Sequence, residues 1–148
     1  MEIHLTAELK RFNYLAGEID AAYHEAARRL GLSDSAMQVL YAICNKGQSC
    51  PLSEICRLSG LSKQTLNSAL RKLELEGILY LESMGGRKKT ACLTDRGKAL
   101  AERTVAPLME IENSILDSWP EAQREQYLDS MQKYLTAFTE KIKELPKK

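Results

Sequence analysis

Two short amphipathic segments lie on either side of the tripeptide Ser59-Gly60-Leu61, near the middle of the chain. The first, residues 51–58, is long enough for about two helical turns and is predicted to place Leu52, Ile55 and Leu58 on one face. A three-residue turn that contains glycine is typical of two helices crossing at a steep angle. The sequence therefore predicts a helix-turn-helix at this point.

The helix after this turn has one apolar and one polar face. Ser62 is predicted to cap its start, and Glu76-Gly77 to end it. Leu66, Leu70 and Leu73, with Ala69 alongside, have the spacing of a buried face. Glutamine and asparagine side chains can bind adenine through two atoms, and arginine can bind guanine in the same way. A polar face that only meets solvent is the alternative. The residues predicted to contact DNA are Lys63, Gln64, Thr65, Asn67, Ser68 and Arg71, with Lys72 on the flank as a phosphate contact.

A basic hairpin follows. Residues 78–81 have the composition of a strand, Ser83-Met84-Gly85-Gly86 is a turn, and residues 87–94 return as a second strand. Three consecutive basic side chains beside a glycine turn are suited to reaching phosphates or a minor groove. These predicted contacts are Arg87, Lys88 and Lys89.

The first thirty residues read as one long helix that Gly31 ends. Its apolar residues recur at steps of three or four, and they are Leu5, Leu9, Phe12, Leu15, Ile19, Tyr23, Ala26 and Leu30. A stripe of this length needs a partner along the whole helix. Packing within its own domain is one interpretation, and a dimer interface is the other.

The last third of the chain contains two more helical stretches. The first runs from Leu100 to Ile115, with a kink or break expected at Pro107. The second begins near Pro120 and carries an apolar stripe from Tyr127 to Leu145. Pairing of two copies about a two-fold axis would bury the stripes at both ends of the chain, so the sequence favours a homodimer.

Composition limits the class of protein. Of 148 residues, 44% are hydrophobic and 28% charged, as in a globular domain. The start of the sequence lacks the layout of a signal peptide, and no apolar run is long enough to span a membrane, so we expect a cytoplasmic protein without a membrane partner. Residues 51–98 hold nine basic and five acidic side chains within a chain of net charge +1, so a polyanion would meet the middle of the chain.

Catalytic machinery is not indicated. The chain has two histidines, no glycine-rich phosphate loop after a strand and no metal-ligand spacing, so we expect neither an enzyme nor a cofactor nor a metal site.

The four cysteines are expected to be free. A thiol switch is an alternative for three of them, because they lie in or near the helix-turn-helix and Cys50 precedes a helix start, where a thiol pKa is lowered. The candidate redox residues are Cys50, Cys44 and Cys56.

Four features together resemble the MarR family of winged-helix regulators over nearly the whole chain. They are residues 61–79, the wing residues 86–89, the segment Leu93-Thr94-Asp95-Arg96-Gly97, and the long terminal helices. The resemblance implies a mainly α fold with a small β-hairpin wing, in which a winged helix-turn-helix (residues 31–99) is flanked by dimerisation helices (residues 1–30 and 100–148). The chain departs from the family at Gly85, where an aspartate usually orients the wing arginine, so a looser wing is expected.

The resemblance also implies a function. Regulators of this family bind pseudo-palindromic duplex DNA as homodimers, with an arginine of each wing in a minor groove, a place that Arg87 holds here. We therefore expect a sequence-specific repressor that a small molecule releases from DNA. A winged helix that binds protein instead is an alternative. The candidate effector contacts are Phe12, Tyr14, Tyr23, His24 and Arg28.

Overall fold

In the computed structural model, which describes residues 1–148, the chain forms seven α-helices and three β-strands. The helices are α1 (Ala7–Leu30), α2 (Asp34–Lys46), α3 (Leu52–Ser59), α4 (Lys63–Leu75), α5 (Asp95–Arg103), α6 (Val105–Asp117) and α7 (Glu121–Lys141); the strands are β1 (Ser49–Pro51), β2 (Leu79–Ser83) and β3 (Lys89–Leu93). The predicted fold class, mainly α with a small β wing, is confirmed. The residues group into two compact units, Met1–Leu108 and Met109–Lys148.

Helix α1 is the long N-terminal helix that the sequence predicts. Thr6 caps its start by accepting the backbone N–H of Leu9 at 3.0 Å. Gly31 ends it in the left-handed conformation, with φ of 72°. A glycine adopts this conformation without a Cβ clash. Except near its last turns, α1 is exposed along its length, including the apolar stripe.

Helices α2, α3 and α4 form the helix-turn-helix core. Leu40, Ile43 and Ile55 are fully buried there, and the apolar face of α4 packs onto the same core. The prediction that Leu58 shares the buried face of α3 is wrong, since this side chain is 52% exposed. Each residue turns a helix by about 100°, so Leu58, six residues after Leu52, lies about 120° around the helix from it. Cys56, four residues after Leu52, takes the inward position instead.

The sheet has three strands, in the order β1-β3-β2, and both pairings are antiparallel. Strand β1, which the sequence analysis did not predict, pairs Cys50 with Ala91 of β3. The hairpin β2–β3 pairs Leu79 with Leu93 and Ser83 with Lys89. Strand β1 therefore joins the wing to the segment just before α3.

Helices α5 and α6 are separated at Thr104, whose backbone leaves the helical region (φ −122°, ψ −82°). A break or kink was expected at Pro107, three residues further on. Pro107 instead lies in the first turn of α6, where the missing N–H of proline has no helical partner to lose.

The second unit consists of the remainder of α6, then α7 and a short 3-10 helix at Ile142–Glu144. At the corner between α6 and α7, the Arg124 guanidinium donates to the carbonyls of Leu116, Asp117 and Trp119 at 3.3–3.4 Å. The rings of Trp119 and Tyr127 meet edge to face, with centroids 5.3 Å apart. The apolar stripe from Tyr127 to Leu145 is exposed. None of the helices of the chain has both the length and the apolar character required to span a membrane.

Candidate nucleic-acid interface

One face of helix α4 is buried in the core, and the rest of the helix is exposed. Its buried face consists of Leu66, Ala69, Leu70 and Leu73, as the sequence predicts. The seven side chains of α4 that are predicted to contact DNA are exposed on the rest of the helix. None of the ion pairs of the chain involves a basic residue of α4, so these charges are not neutralised internally. The helix can therefore present Gln64, Asn67 and Arg71 to a ligand without breaking a contact of its own.

The start of α4 is held by its cap. The Ser62 hydroxyl accepts the backbone N–H of Thr65 at 3.2 Å and bonds the Thr65 hydroxyl at 3.0 Å. Of the side chains predicted to read DNA, Thr65 is thus the one that the structure turns towards the helix start. It stabilises the cap in this structure.

The first turn of α4 contains no acidic residue, whereas α1, α2, α3, α5 and α7 each have one there. The N-terminus of a helix carries a partial positive charge and unpaired N–H groups, which attract anions. In α4 this end is accompanied by Lys63 and not by a carboxylate. The positive charge at the start of α4 therefore favours binding of a phosphate.

The wing tip is a tight turn between β2 and β3. Backbone hydrogen bonds join Met84 N–H to the Lys88 carbonyl at 2.9 Å and Lys88 N–H to the Gly85 carbonyl at 3.3 Å. Gly85 and Gly86 have positive φ angles, 98° and 59°, which favour glycine over the aspartate that the family usually has at the first position. These two bonds close the tip, and the looser orientation of Arg87 stays a prediction.

Arg87 and Lys88 lie in this turn and not in the second strand, which begins at Lys89. All three side chains are exposed, and no ion pair involves them. The predicted basic wing tip is thus present at the end of the hairpin, with its charges available to a polyanion.

Thr94 and Gly97 connect the end of α4 to the wing and to α5, a role that the sequence analysis missed. The Thr94 hydroxyl contacts the carbonyls of Gly77 and Ile78 at 2.5 and 3.1 Å, and accepts the N–H of Gly97 at 3.0 Å. A Cβ added to Gly97 would lie 1.9 Å from the Ile78 carbonyl oxygen. In the sequence, the only signal for this role is that the segment Leu93–Gly97 resembles the family.

The predicted effector contacts do not converge on one point. Phe12 and Arg28 are separated by about 24 Å along α1, given a rise of ~1.5 Å per residue. Tyr14 is exposed. His24 bonds Asp20 and Asp34, and Arg28 bonds Glu25. The geometry of these five residues therefore does not by itself define a ligand site.

The cysteines are all free. The argument for Cys50 as a reactive thiol is wrong, because this residue lies in β1 and is fully buried. Its burial raises the thiol pKa, and the nearby Glu54 carboxylate raises it further. Burial also raises the thiol pKa of Cys44, and the Cys56 thiol donates to the Leu61 carbonyl at 3.3 Å. A thiolate, the reactive form, is thus disfavoured at Cys50 and Cys44.

Known proteins resemble this chain in sequence and in fold. The sequence model described as the MarR family matches residues 30–89. No curated protein sequence is significantly similar to the chain. Among solved structures, NMB1585, a MarR family regulator from Neisseria meningitidis, is 21% identical; the match covers 92% of this chain and 96% of that one, with a TM-score of 0.77.

Two further structures share the fold. Sco3205 from Streptomyces coelicolor, a MarR family transcriptional regulator solved in complex with DNA, is 18% identical, with 92% and 91% of the two chains covered and a TM-score of 0.69. BpsR from Bordetella bronchiseptica, whose DNA binding is regulated by 6-hydroxynicotinic acid, is 19% identical, with 83% and 97% covered and a TM-score of 0.62. At this level of identity, the likeness concerns the fold.

Proposed function

We propose that the protein is a transcriptional regulator of the MarR family that binds duplex DNA with sequence specificity, supported by the family-model match over residues 30–89 and by the shared fold. The observation that carries the proposal is the exposed polar face of α4 next to a basic wing tip, both free of internal ion pairs. Sco3205, which has the same fold, was solved with DNA.

Each part of the interface has its own task. Gln64, Asn67 and Arg71 read base edges from the major groove, where a good two-atom contact is worth about 1–3 kcal/mol of discrimination. Arg87 enters the minor groove from the wing tip. Lys88 and Lys89 attract phosphates without regard to sequence, so their contribution weakens as salt rises.

The DNA-binding form is a homodimer on a pseudo-palindromic operator. Support comes from the exposed apolar stripes of α1 and α7, which a monomer would leave in water. A two-fold dimer would place two copies of α4 one or more turns apart along the duplex, which requires an operator with matching symmetry.

Repression with release by a small molecule is the output that we propose. BpsR, whose fold this chain shares, has its DNA binding regulated by 6-hydroxynicotinic acid. The present chain offers aromatic and charged side chains along α1 as candidate contacts, and its ligand is to be found by experiment.

Selection of bound fragments from a genomic library tests the DNA-binding function. We expect a two-fold symmetric footprint, with affinity that falls steeply as salt increases. Repeating the selection with crude metabolite extract would reveal release by an effector. Salt-insensitive capture of a protein, without selection of any DNA, would instead favour a protein-interaction module.

Substitution Arg87→Ala tests the wing. We expect weaker binding of the selected DNA, measured by fluorescence anisotropy, with an unchanged molar mass in light scattering. Lys133→Ala, at an exposed lysine of α7 that is not among the proposed DNA contacts, serves as the control for loss of one positive charge. Equal affinities for the two variants would exclude Arg87 from the interface.

A further inference from the structure

His24, near the end of α1, contacts two carboxylates that belong to different helices. Its Nε2 lies 3.1 Å from Oδ2 of Asp20, one turn earlier on α1. Its Nδ1 lies 2.7 Å from Oδ1 of Asp34, in the first turn of α2. The imidazole thus bridges the joint at Gly31, where the long N-terminal helix gives way to the winged helix-turn-helix. Neither the core nor the proposed DNA interface uses this bridge.

The two contacts can both be hydrogen bonds in one protonation state only. A carboxylate accepts and cannot donate, and a neutral imidazole has a single N–H. If His24 is neutral, one of its nitrogens therefore presents a lone pair to a carboxylate oxygen. If it is protonated, it donates to both Asp20 and Asp34 and carries the opposite charge.

The surroundings favour the protonated form. The hydrogen bond and charge of Asp34, followed by the charge of Asp20, raise the pKa of His24 above 6.5. The next charged groups along α1 are Glu25 and Arg28, and they are engaged with each other at 2.6 Å. The His24 side chain is 52% exposed, so solvent protons reach it without any opening of the fold.

We propose that His24 is a pH-dependent tether between α1 and α2, closed when its ring is protonated, and that DNA affinity responds to pH through it. The second part rests on the proposed function. The tether is fully closed below the ordinary pKa of histidine and is lost as the pH rises through the raised pKa of the folded protein. A lobe that is fixed to the dimerisation helix has less freedom to lose on binding. Affinity should therefore be higher on the acidic side.

The titration of the ring is measured by NMR. The chain has two histidines, so His24→Gln assigns both signals and leaves His4 alone. We expect His24 to titrate above 6.5 and its pKa to fall in Asp34→Asn. Asp95→Asn, which removes the acidic residue from the first turn of α5, is the matched control and should leave the pKa of His24 unchanged. A wild-type value at or below the ordinary one, or no effect of Asp34→Asn, would overturn the tether.

Anisotropy with a selected DNA fragment then tests the response, at pH values from about 6 to about 8. We expect the wild-type affinity to fall across this range by at most about fivefold, because an exposed ion pair contributes little. The fall should be absent from His24→Gln, and in Asp34→Asn it should move to lower pH. Equal pH dependence in all three proteins would refute the regulatory part. Failure of all of them to bind DNA at any pH would overturn the proposed function, while the NMR titration still decides whether the tether exists.

Discussion

At the scale of single residues, Gly97 is required by a close backbone contact that the sequence does not reveal. The sequence presents it only as the last member of Leu93–Gly97, and helical propensity alone would favour alanine at this position of α5. The structure supplies the reason: the backbone of α5 passes so close to the Ile78 carbonyl that a Cβ has no room. This contact joins residues 19 positions apart, and no local pattern encodes it.

Replacing this glycine should therefore destabilise the fold. For Gly97→Ala we expect a loss of about 1–3 kcal/mol in the free energy of unfolding, the usual cost of overpacking. Urea denaturation followed by circular dichroism measures it. Gly17→Ala is the control, because nothing lies within 4 Å of the added Cβ in α1, and there alanine should stabilise by about 0.5–1 kcal/mol. Equal effects in the two variants would show that the close approach at Gly97 is absent.

Burial also decides what the cysteines can do. From the sequence, Cys50 is a residue just before a helix, and its thiol is expected to be activated. The structure puts one residue of strand, Pro51, between Cys50 and the helix, pairs Cys50 with Ala91 of β3, and buries its side chain. Three-residue strands such as β1 have no periodicity to detect, so the sequence could not reveal this environment.

Thiol reactivity checks this consequence. Since the pKa values of Cys44, Cys50 and Cys92 are raised mainly by burial, we expect native protein at neutral pH to be alkylated by iodoacetamide far more slowly at these residues than protein in urea. The same shifts predict that stability is retained below the ordinary thiol pKa of 9.0 and falls as the pH rises above it. Peptide mass spectrometry gives the rate at each cysteine. Fast native labelling of Cys50, or loss of DNA binding in peroxide, would restore the thiol switch.

At the scale of elements, the long periodic segments are the ones that the sequence predicted. Helices α1, α2 and α4 begin after Thr6, Ser33 and Ser62, whose hydroxyls cap them; the cap at Ser62 is the one that the sequence predicts. The wrong predictions concern the boundaries of elements, where neighbouring residues favour different end points. Pro107 suggested a break, but the chain breaks at Thr104, and the second strand starts at Lys89 instead of Arg87. The polar face of α4 and the basic tip followed from composition, whereas the orientation of Thr65 depends on a rotamer.

At the scale of the whole molecule, the main feature that a single chain does not explain is the apolar surface that lies exposed outside the core. The stripe of α7 includes Leu128, Leu135 and Phe138, each about half exposed, and single surface leucines need no explanation but a contiguous stripe does. The domain bounds and the dimer stay predictions of the sequence.

A negative charge introduced into the apolar stripe of α7 should weaken the proposed dimer. For Leu135→Glu we expect the dimer dissociation constant to rise by roughly two orders of magnitude, because association would bury an unpaired carboxylate. DNA affinity should fall with it, since a monomer occupies one half-site. Sedimentation velocity measures the first effect, and anisotropy the second. Gln126→Glu adds the same charge to α7 outside the stripe and should change neither. A Leu135→Glu protein that stayed dimeric would place the interface elsewhere.

The missing acidic residue at the start of α4 implies a conflict between stability and activity. Gln64→Glu would complement the helix dipole and should raise the free energy of unfolding by about 0.3–1 kcal/mol. It should also weaken binding of the selected DNA by about tenfold or more, because a carboxylate would face phosphates and lose the contact to a base. Gln123→Glu, in the first turn of α7, should bring a similar stabilisation without loss of binding. If so, selection for thermal stability alone would drive this chain towards a well-folded protein that no longer recognises its operator.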